Sequence, residues 1–493
     1  MFDFGYDAQH LLNELDQPAM STTAYDTAWV ARVPACDGSH TRDFPEALEW
    51  LRGQQHFDGS WGSRQIYYHD RVICTLNALI ALAEYGCEPV DRLMIRSGES
   101  YLHSNVLRLP SEPYETVGFE LIVPTLTERA QQLGLDLPYT ELSRYNLVRE
   151  EKLRLIPRPL IYSRAVTTAH SLEFMGNQLE LERIDDLLEA NGSLGHSPSA
   201  TAYLLCQCQG HPATRQYLAE VIGLGHDAAM PAHPVEIFDT SWVLYNLELA
   251  NYYASLNGPL TTRLVDLSRA WVADRGVGFS REYSVPDLDD TAMVFKLLGR
   301  AGYSLDIAVF RQYERENHFA CYSFERNPSV GVHVHLLEAL SQHPQNSETR
   351  QMIQKILRFL HRSRQQGAYW FDKWHISPYY ITSHAIIATL SCDPELARDA
   401  IDWMLSTQQA DGSWGFYQPT AEETAYCLQA LAIYHREAQR LDRAVLDRAA
   451  QFLAERYTQP DHPAMWIEKA LYTPIHIVRS ALISALSLYA ALH

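Results

Sequence analysis

The chain has 493 residues, 46% of them hydrophobic, enough for two or three domains with sizeable cores. Its 60 Asp plus Glu against 40 Lys plus Arg give a formal charge of −20, which argues against a nucleic-acid partner and requires any anionic ligand to find a locally basic or metal-assisted site. The eight cysteines form no CxxC pair and no Cys/His cluster, so they read as reduced thiols of a cytoplasmic protein.

The first twenty residues, MFDFGYDAQHLLNELDQPAM, carry acids and no basic leader, so no secretory signal is expected. EALEWLRGQ then reads as an amphipathic helix running into the turn Gln55-His-Phe-Asp58-Gly59-Ser-Trp61-Gly62. VICTLNALIALAEYG is apolar but broken by polar residues at helical spacing, which predicts a buried helix and no membrane span. Weaker relatives of the first turn occur at Glu189–Ser193 and Asp274–Ser280. A close copy, Gln409-Ala-Asp411-Gly412-Ser-Trp414-Gly415, follows the helical pattern ARDAIDWMLSTQ. ETAYCLQALAIYHREAQRL and the terminal RSALISALSLYAALH complete a helical pattern with no sustained strand alternation. In the two strong turns Gly permits the tight reversal, Asp bonds turn amides and Trp packs over the next helix. Such staples tie helical hairpins into rings, so the expected class is all-α with α/α-barrel (toroid) domains.

One segment carries chemistry. Asp287, Asp289 and Asp290 lie within Pro286-Asp-Leu-Asp-Asp-Thr291, where crowded carboxyls share hydrogen bonds and hold a proton that isolated ones would lose. A dry site with such an acid can protonate a weak base such as an alkene. The same residues would also cap the helix TAMVFKLLGR, and the two roles are compatible.

The turns, together with STTAYDTAWV (21–30), VGFELIVPTL (117–126), DLDDTAMVF (287–295) and DKWHISPYY (372–380), resemble the class II diterpene cyclases over essentially the whole chain, among them copalyl, halimadienyl and kolavenyl diphosphate synthases. The resemblance implies two α-barrels with the active cavity between them. Residues 1–35 would hold the first helix of the β domain, 36–227 the inserted γ domain and 228–493 the rest of β. It implies protonation-initiated cyclisation of geranylgeranyl diphosphate to a bicyclic diterpenyl diphosphate, with Asp289 as donor. His333 stands where relatives commonly carry Asn beside that acid, although His333 and His335 also read as ordinary core histidines. Glu115 and Glu120 match an element that holds Mg²⁺ near the diphosphate, and Lys152, Lys469 and Lys373 are the expected diphosphate contacts. Trp374, Tyr380 and Trp414 are expected along the substrate. His170 matches the His of a terminating His–Asn dyad whose Asn is replaced here by Ala232 and His233, which leaves labdane, halimadane and clerodane skeletons all open. The implied partners are the isoprenoid diphosphate and a downstream class I terpene synthase, with the protein a monomer or homodimer. Asp185-Asp-Leu-Leu-Glu189 imitates the DDxxD of class I synthases, but no second metal motif accompanies it.

Three other readings remain open at this level. A drimane or meroterpenoid cyclase would use the same acid on a farnesyl-derived chain. A toroid glycosidase would pair Asp289 with Glu422 or Glu423 across a sugar cleft. A non-catalytic toroid would leave the acid cluster solvated.

Overall fold

The computed structural model describes residues 3–36, 41–208, 210–254, 258–459 and 461–492. Apart from a two-stranded hairpin, Trp466–Ile467 paired antiparallel with Leu471–Tyr472, its regular elements are helical. Helices α1 (Phe4–Glu14) and α2 (Ala24–Val30) stand at the head of the chain and belong to different rings.

The first ring closes on itself. Helix α2 packs on α3 (Tyr68–Tyr85), α3 on α4 (Phe119–Gln132), α4 on the kinked segment Thr167–Gln178, that segment on α6 (Pro198–Gln207), and α6 on α2. Outer helices, among them α5 (Arg144–Leu155), cover it. In the second ring α7 (Glu236–Leu249), α8 (Leu288–Arg300), α9 (Val330–Ser341), α10 (Pro378–Thr389), α11 (Ala421–Glu437) and α12 (Ile475–Ala490) each touch the next, and α12 returns to α7. Helix α1 packs outside this ring against α12. Among the described residues two main cores result, one built from residues 24–229 with Ala470 of the hairpin and the other from residues 8–15 and 237–486, and a smaller cluster of Tyr67 with Ile376, Met465, Ile467 and Leu471 joins the two sides. The expected boundary at residue 35 is therefore misplaced. Every residue of α2 is buried, and its Tyr25, Ala28 and Trp29 fill the first core, so the chain passes between the rings before Ala24.

The repeated turn does the stapling. Trp61 donates its indole N–H to Leu51 O (2.8 Å) and its backbone N–H to Thr75 Oγ1 (3.0 Å); Trp414 does the same with Met404 O (2.8 Å) and Thr424 Oγ1 (3.1 Å). Trp370, in a turn the sequence motif did not reveal, repeats both bonds with Leu360 O and Thr382 Oγ1. Leu194 and Val277 use Thr201 and Thr291 in the same way. Each indole bond ties the turn back to the preceding outer helix, and each backbone bond joins it to the threonine of the next inner helix, satisfying an amide that a buried turn would otherwise strand. Gly412 sits at φ +91°, and a Cβ there would lie 2.4 Å from the carbonyl carbon of Arg448. The glutamine of the second copy is Gln408, not Gln409: Gln408 bonds Gly412 O and Val445 O as Gln55 bonds Gly59 O and Met94 O.

Candidate active site

The N-terminal parts of α7, α8, α9 and α10 converge on one cavity of about 190 Å³, closed from the other side by Val117, Thr167 and His170 of the first ring and by Met20 of the segment between α1 and α2. Its walls are apolar and aromatic, with Phe238, Trp242, Phe279, Tyr283, Trp466 and Tyr472. Phe279 and Tyr283 stack at 4.1 Å, and Trp242 donates to the Tyr380 hydroxyl at 2.9 Å. Most of these rings had no sequence signal, although Phe279 belongs to a turn that resembles the staple.

At the α8 end stand the three acids. Asp287 is the N-cap of α8, accepting the Asp290 N–H at 2.8 Å, and the Tyr322 hydroxyl donates to its other oxygen at 3.3 Å. Burial pushes Asp287 up to about 7, with the hydrogen bonds from Asp290 opposing it and the charge of Asp289 adding to it, and burial followed by the charge of Asp287 holds Asp290 well above the usual carboxylate range. Asp290 Oδ1 is buried without a partner, consistent with a neutral acid. Asp289 differs from both. All three line the cavity, but the side chain of Asp289 is 14% exposed, against 1% for Asp287, and its Oδ1 meets His335 Nδ1 at 2.6 Å. Its place in the first helical turn, where free backbone N–H groups point toward it, stabilises the anion that proton loss would leave. The arrangement is a hydrogen-bonded carboxyl facing an aromatic cavity, between two neighbours that resist ionising.

The cavity opens into a second space of about 200 Å³ through the shared walls Val117, Thr167, Tyr322 and Trp374. That mouth is charged. Glu115, Glu120, Glu325, Lys152, Lys373 and Arg326 line it. Lys373 pairs with Glu325 at 2.6 Å and lies 4.8 Å over the Trp374 ring; Arg326 reaches Glu115 at 3.4 Å; Lys152 donates to Phe324 O at 2.6 Å. Burial and then the charge of Glu120 raise Glu115, which is what two acids without enough cations between them produce. The indole N–H of Trp374 is buried and has no partner. Arg326 was not anticipated, because nothing in the sequence places it opposite Glu115, 211 positions away.

A family model of the squalene-hopene cyclase C-terminal domain matches residues 323–432. Over 497 aligned positions the chain is 37% identical to a Type B diterpene cyclase of Mycobacterium tuberculosis, spanning 95% of this chain and 96% of that one. The chain belongs to the class II diterpene cyclases. An ent-copalyl diphosphate synthase of rice is 32% identical over 74% of this chain, which spans only 42% of that longer protein. Among solved structures, ent-copalyl diphosphate synthase from Streptomyces platensis superposes with a TM-score of 0.80 at 26% identity, covering 99% of both chains. The fold of the Arabidopsis thaliana ent-copalyl diphosphate synthase agrees at a TM-score of 0.75 over 98% of this chain and 62% of that one.

Within this cyclase several expected residues take other places. His333 does not touch the acid: its Nδ1 donates to Ser329 O (2.6 Å), its Nε2 accepts the Phe319 N–H, and its ring stacks on Phe359. Burial lowers it to about 3, so it is a neutral core histidine, and His335, two residues on, is the partner of Asp289. Lys469 is fully buried, donating to Glu173, Ser197 and Ser199, and is far too well satisfied to contact a diphosphate in the mouth. It locks the hairpin of the second ring into the first. Trp414 is a staple and not a cavity wall. Tyr380 and Trp374 do line the cavity, as does His170. His170 Nδ1 donates to Gly195 O (2.8 Å), while Nε2 meets Glu468 Oε1 at 2.5 Å, so the residue opposite this imidazole is a glutamate from the hairpin. Glu422 and Glu423 lie outside the cavity, the first bonded by Trp466 and His375, the second by Ser377 and Thr420, which removes the two-carboxylate sugar cleft.

Proposed function

We propose that the cyclase protonates the terminal double bond of geranylgeranyl diphosphate with Asp289 and closes two rings while the diphosphate stays intact in the mouth. The observation that carries this is the division of the site: a neutral-leaning acid cluster with His335 at the closed end, aromatic walls between, and Lys152, Lys373 and Arg326 with Glu115 and Glu120 at the open end. The alkene π pair forms a C–H bond with the Asp289 proton, leaving a tertiary cation and a carboxylate that the His335 N–H and the start of α8 stabilise. Two further alkenes attack in turn, and loss of a proton from the bicyclic cation restores a double bond. Phe238, Trp242, Phe279 and Trp466 exclude water and offer cation–π contacts of about 0.5–2 kcal/mol each. The product remains a diphosphate, so an enzyme that ionises allylic or tertiary diphosphates is the fitting consumer.

Glu115 and Glu120 are a suitable donor pair for Mg²⁺: hard oxygen ligands, mutually repelling, with Arg326 paired to Glu115. Among the described residues no set of three His, Cys, Asp or Glu could hold a metal by itself, so the remaining ligands would be water and diphosphate oxygen. Bound there, Mg²⁺ would neutralise diphosphate charge, while Lys373, Lys152 and Arg326 orient it.

The test is to incubate the purified protein with Mg²⁺ and geranylgeranyl diphosphate, in parallel with farnesyl diphosphate, dephosphorylate and analyse by mass spectrometry. A bicyclic C20 alcohol is expected. A cyclised C15 alcohol alone would move the assignment to a shorter chain, and none from either would end it.

A further inference from the structure

Behind the acid lies a second imidazole. Asp289 Oδ1 to His335 Nδ1 is 2.6 Å and His335 Nε2 to His384 Nδ1 is 3.0 Å, one line of hydrogen bonds through α8, α9 and α10. His384 is 1% exposed, does not line the cavity, and its Nε2 has no partner. It is wedged against Tyr380, Tyr245 and Tyr426, with ring centroids 4.6, 5.0 and 5.8 Å away. Burial, then the charges of His335, Lys296 and His375, hold it well below the usual histidine range, so it is neutral and carries one N–H.

One proton occupies each contact, so the line has a direction. With the His384 proton on Nδ1, that N–H donates to His335 Nε2, His335 donates its own Nδ1–H to Asp289 Oδ1, and the acidic proton of Asp289 has to sit on Oδ2. In the reverse direction Asp289 hands its proton to His335 Nδ1, and His384 buries an N–H at Nε2 with no acceptor. Orphaned buried N–H groups are rarer than orphaned acceptors, which favours the first direction.

We infer that His384 is a positioning residue that fixes the tautomer of His335, so that Asp289 carries its acidic proton on the oxygen His335 leaves free for substrate. The inference rests on Asp289 being the donor. The other groups facing this line are Asp287 and Asp290 beside the acid, Cys321 and Tyr380 across from it, Trp242 and Tyr245 against His335, and Lys296, itself paired with Glu338 and Glu248, near His384. Lys296 disfavours charge on His384 and leaves the direction of the line unchanged.

Two substitutions at one position separate positioning from packing. His384→Asn keeps a donor at the place of Nδ1, whereas His384→Met offers only an acceptor, which draws an N–H onto His335 Nε2. His384→Met is expected to lower kcat at least about tenfold with KM unchanged, and to move the alkaline limb of the kcat profile upward, because Asp289 then holds its proton against His335. His384→Asn should retain most of the turnover and the wild-type limb. Equal losses in both variants with an unmoved limb would overturn the inference. Histidine-¹⁵N NMR of the substrate-free protein gives a second reading: His335, assigned by its disappearance in His335→Phe, should carry its proton on Nδ1 in wild type and shift toward Nε2 in His384→Met. Wild-type His335 protonated on Nε2 would overturn the inference even if neither His384 variant folds. This reading needs no turnover, so it stands apart from failure of the cyclase assignment.

Discussion

Each ring buries an acid near the start of an inner helix, and burial raises both Asp26 and Asp287 to about 7. The surroundings then diverge. Asp26, in the first turn of α2, lies near Lys469, whose ammonium is fully buried and also held by Glu173, Ser197 and Ser199, while Tyr25 closes the set onto Glu173 at 2.9 Å. None of these side chains lines the cavity. In the second ring the partner of Asp289 is an imidazole, the neighbouring acids resist ionising, and the carboxyl faces an aromatic cavity. A raised acid is thus a sign of burial, common to both rings. What distinguishes a proton donor is access to an empty space and the absence of an ammonium that would take the role of counterion.

The widest separation between the two clusters should come from matched substitutions. Asp289→Asn is expected to reduce cyclisation at least about 10³-fold, measured as product per minute from geranylgeranyl diphosphate, with the melting temperature nearly unchanged. Asp26→Asn should leave turnover within about threefold. A folded Asp26→Asn protein without activity would break the contrast outright.

Next in size is the lysine. Lys469→Met leaves Glu173 and Asp26 buried without their cation and should destabilise the protein by about 3–5 kcal/mol in denaturant unfolding, while the folded fraction keeps its KM. A raised KM at unchanged stability would restore Lys469 as a substrate contact. Smaller effects are expected at the mouth. Lys373→Ala or Arg326→Ala should raise KM roughly tenfold and leave kcat near wild type, because each removes one charge-assisted bond to a group that does not react.

Which parts of this were legible in the sequence follows from how local each signal is. The acid cluster and the Gly-Ser-Trp turns are contiguous, so their capping and stapling roles could be read from neighbouring residues. The choice between His333 and His335 could not. Two residues apart on a helix point about 200° away from each other, and which one meets Asp289 depends on the rotation of α9 against α8. Lys469 reads as a diphosphate contact until Glu173, 296 positions distant, is brought to its ammonium. Helix α2 is buried all round, so no polar face marks which ring it joins, and only ring closure decides. The partner of His170 follows the same rule: Glu468 is 298 positions away and enters on a hairpin that the helical pattern conceals.

The smallest effect is the sharpest test of the shared chemistry. Asp287 holds its proton up to about pH 7 in the folded protein and only to about 3.8 when unfolded. Between those values the folded state binds more protons, so stability is full below about pH 4, falls as the pH rises toward 7, and stays reduced above it. Asn at this position still caps α8 and has no proton to lose. The melting temperature of Asp287→Asn should therefore exceed that of wild type by a margin that grows between pH 5 and pH 8, to roughly 2 °C or more by calorimetry. Asp26→Asn should show the same growing margin, since its acid is raised for the same reason. Only Asp287→Asn should also displace the alkaline limb of turnover, because only Asp287 shares its cluster with Asp289. If both substitutions move the limb, the two clusters communicate, and the division between a structural ring and a reacting one has to be redrawn.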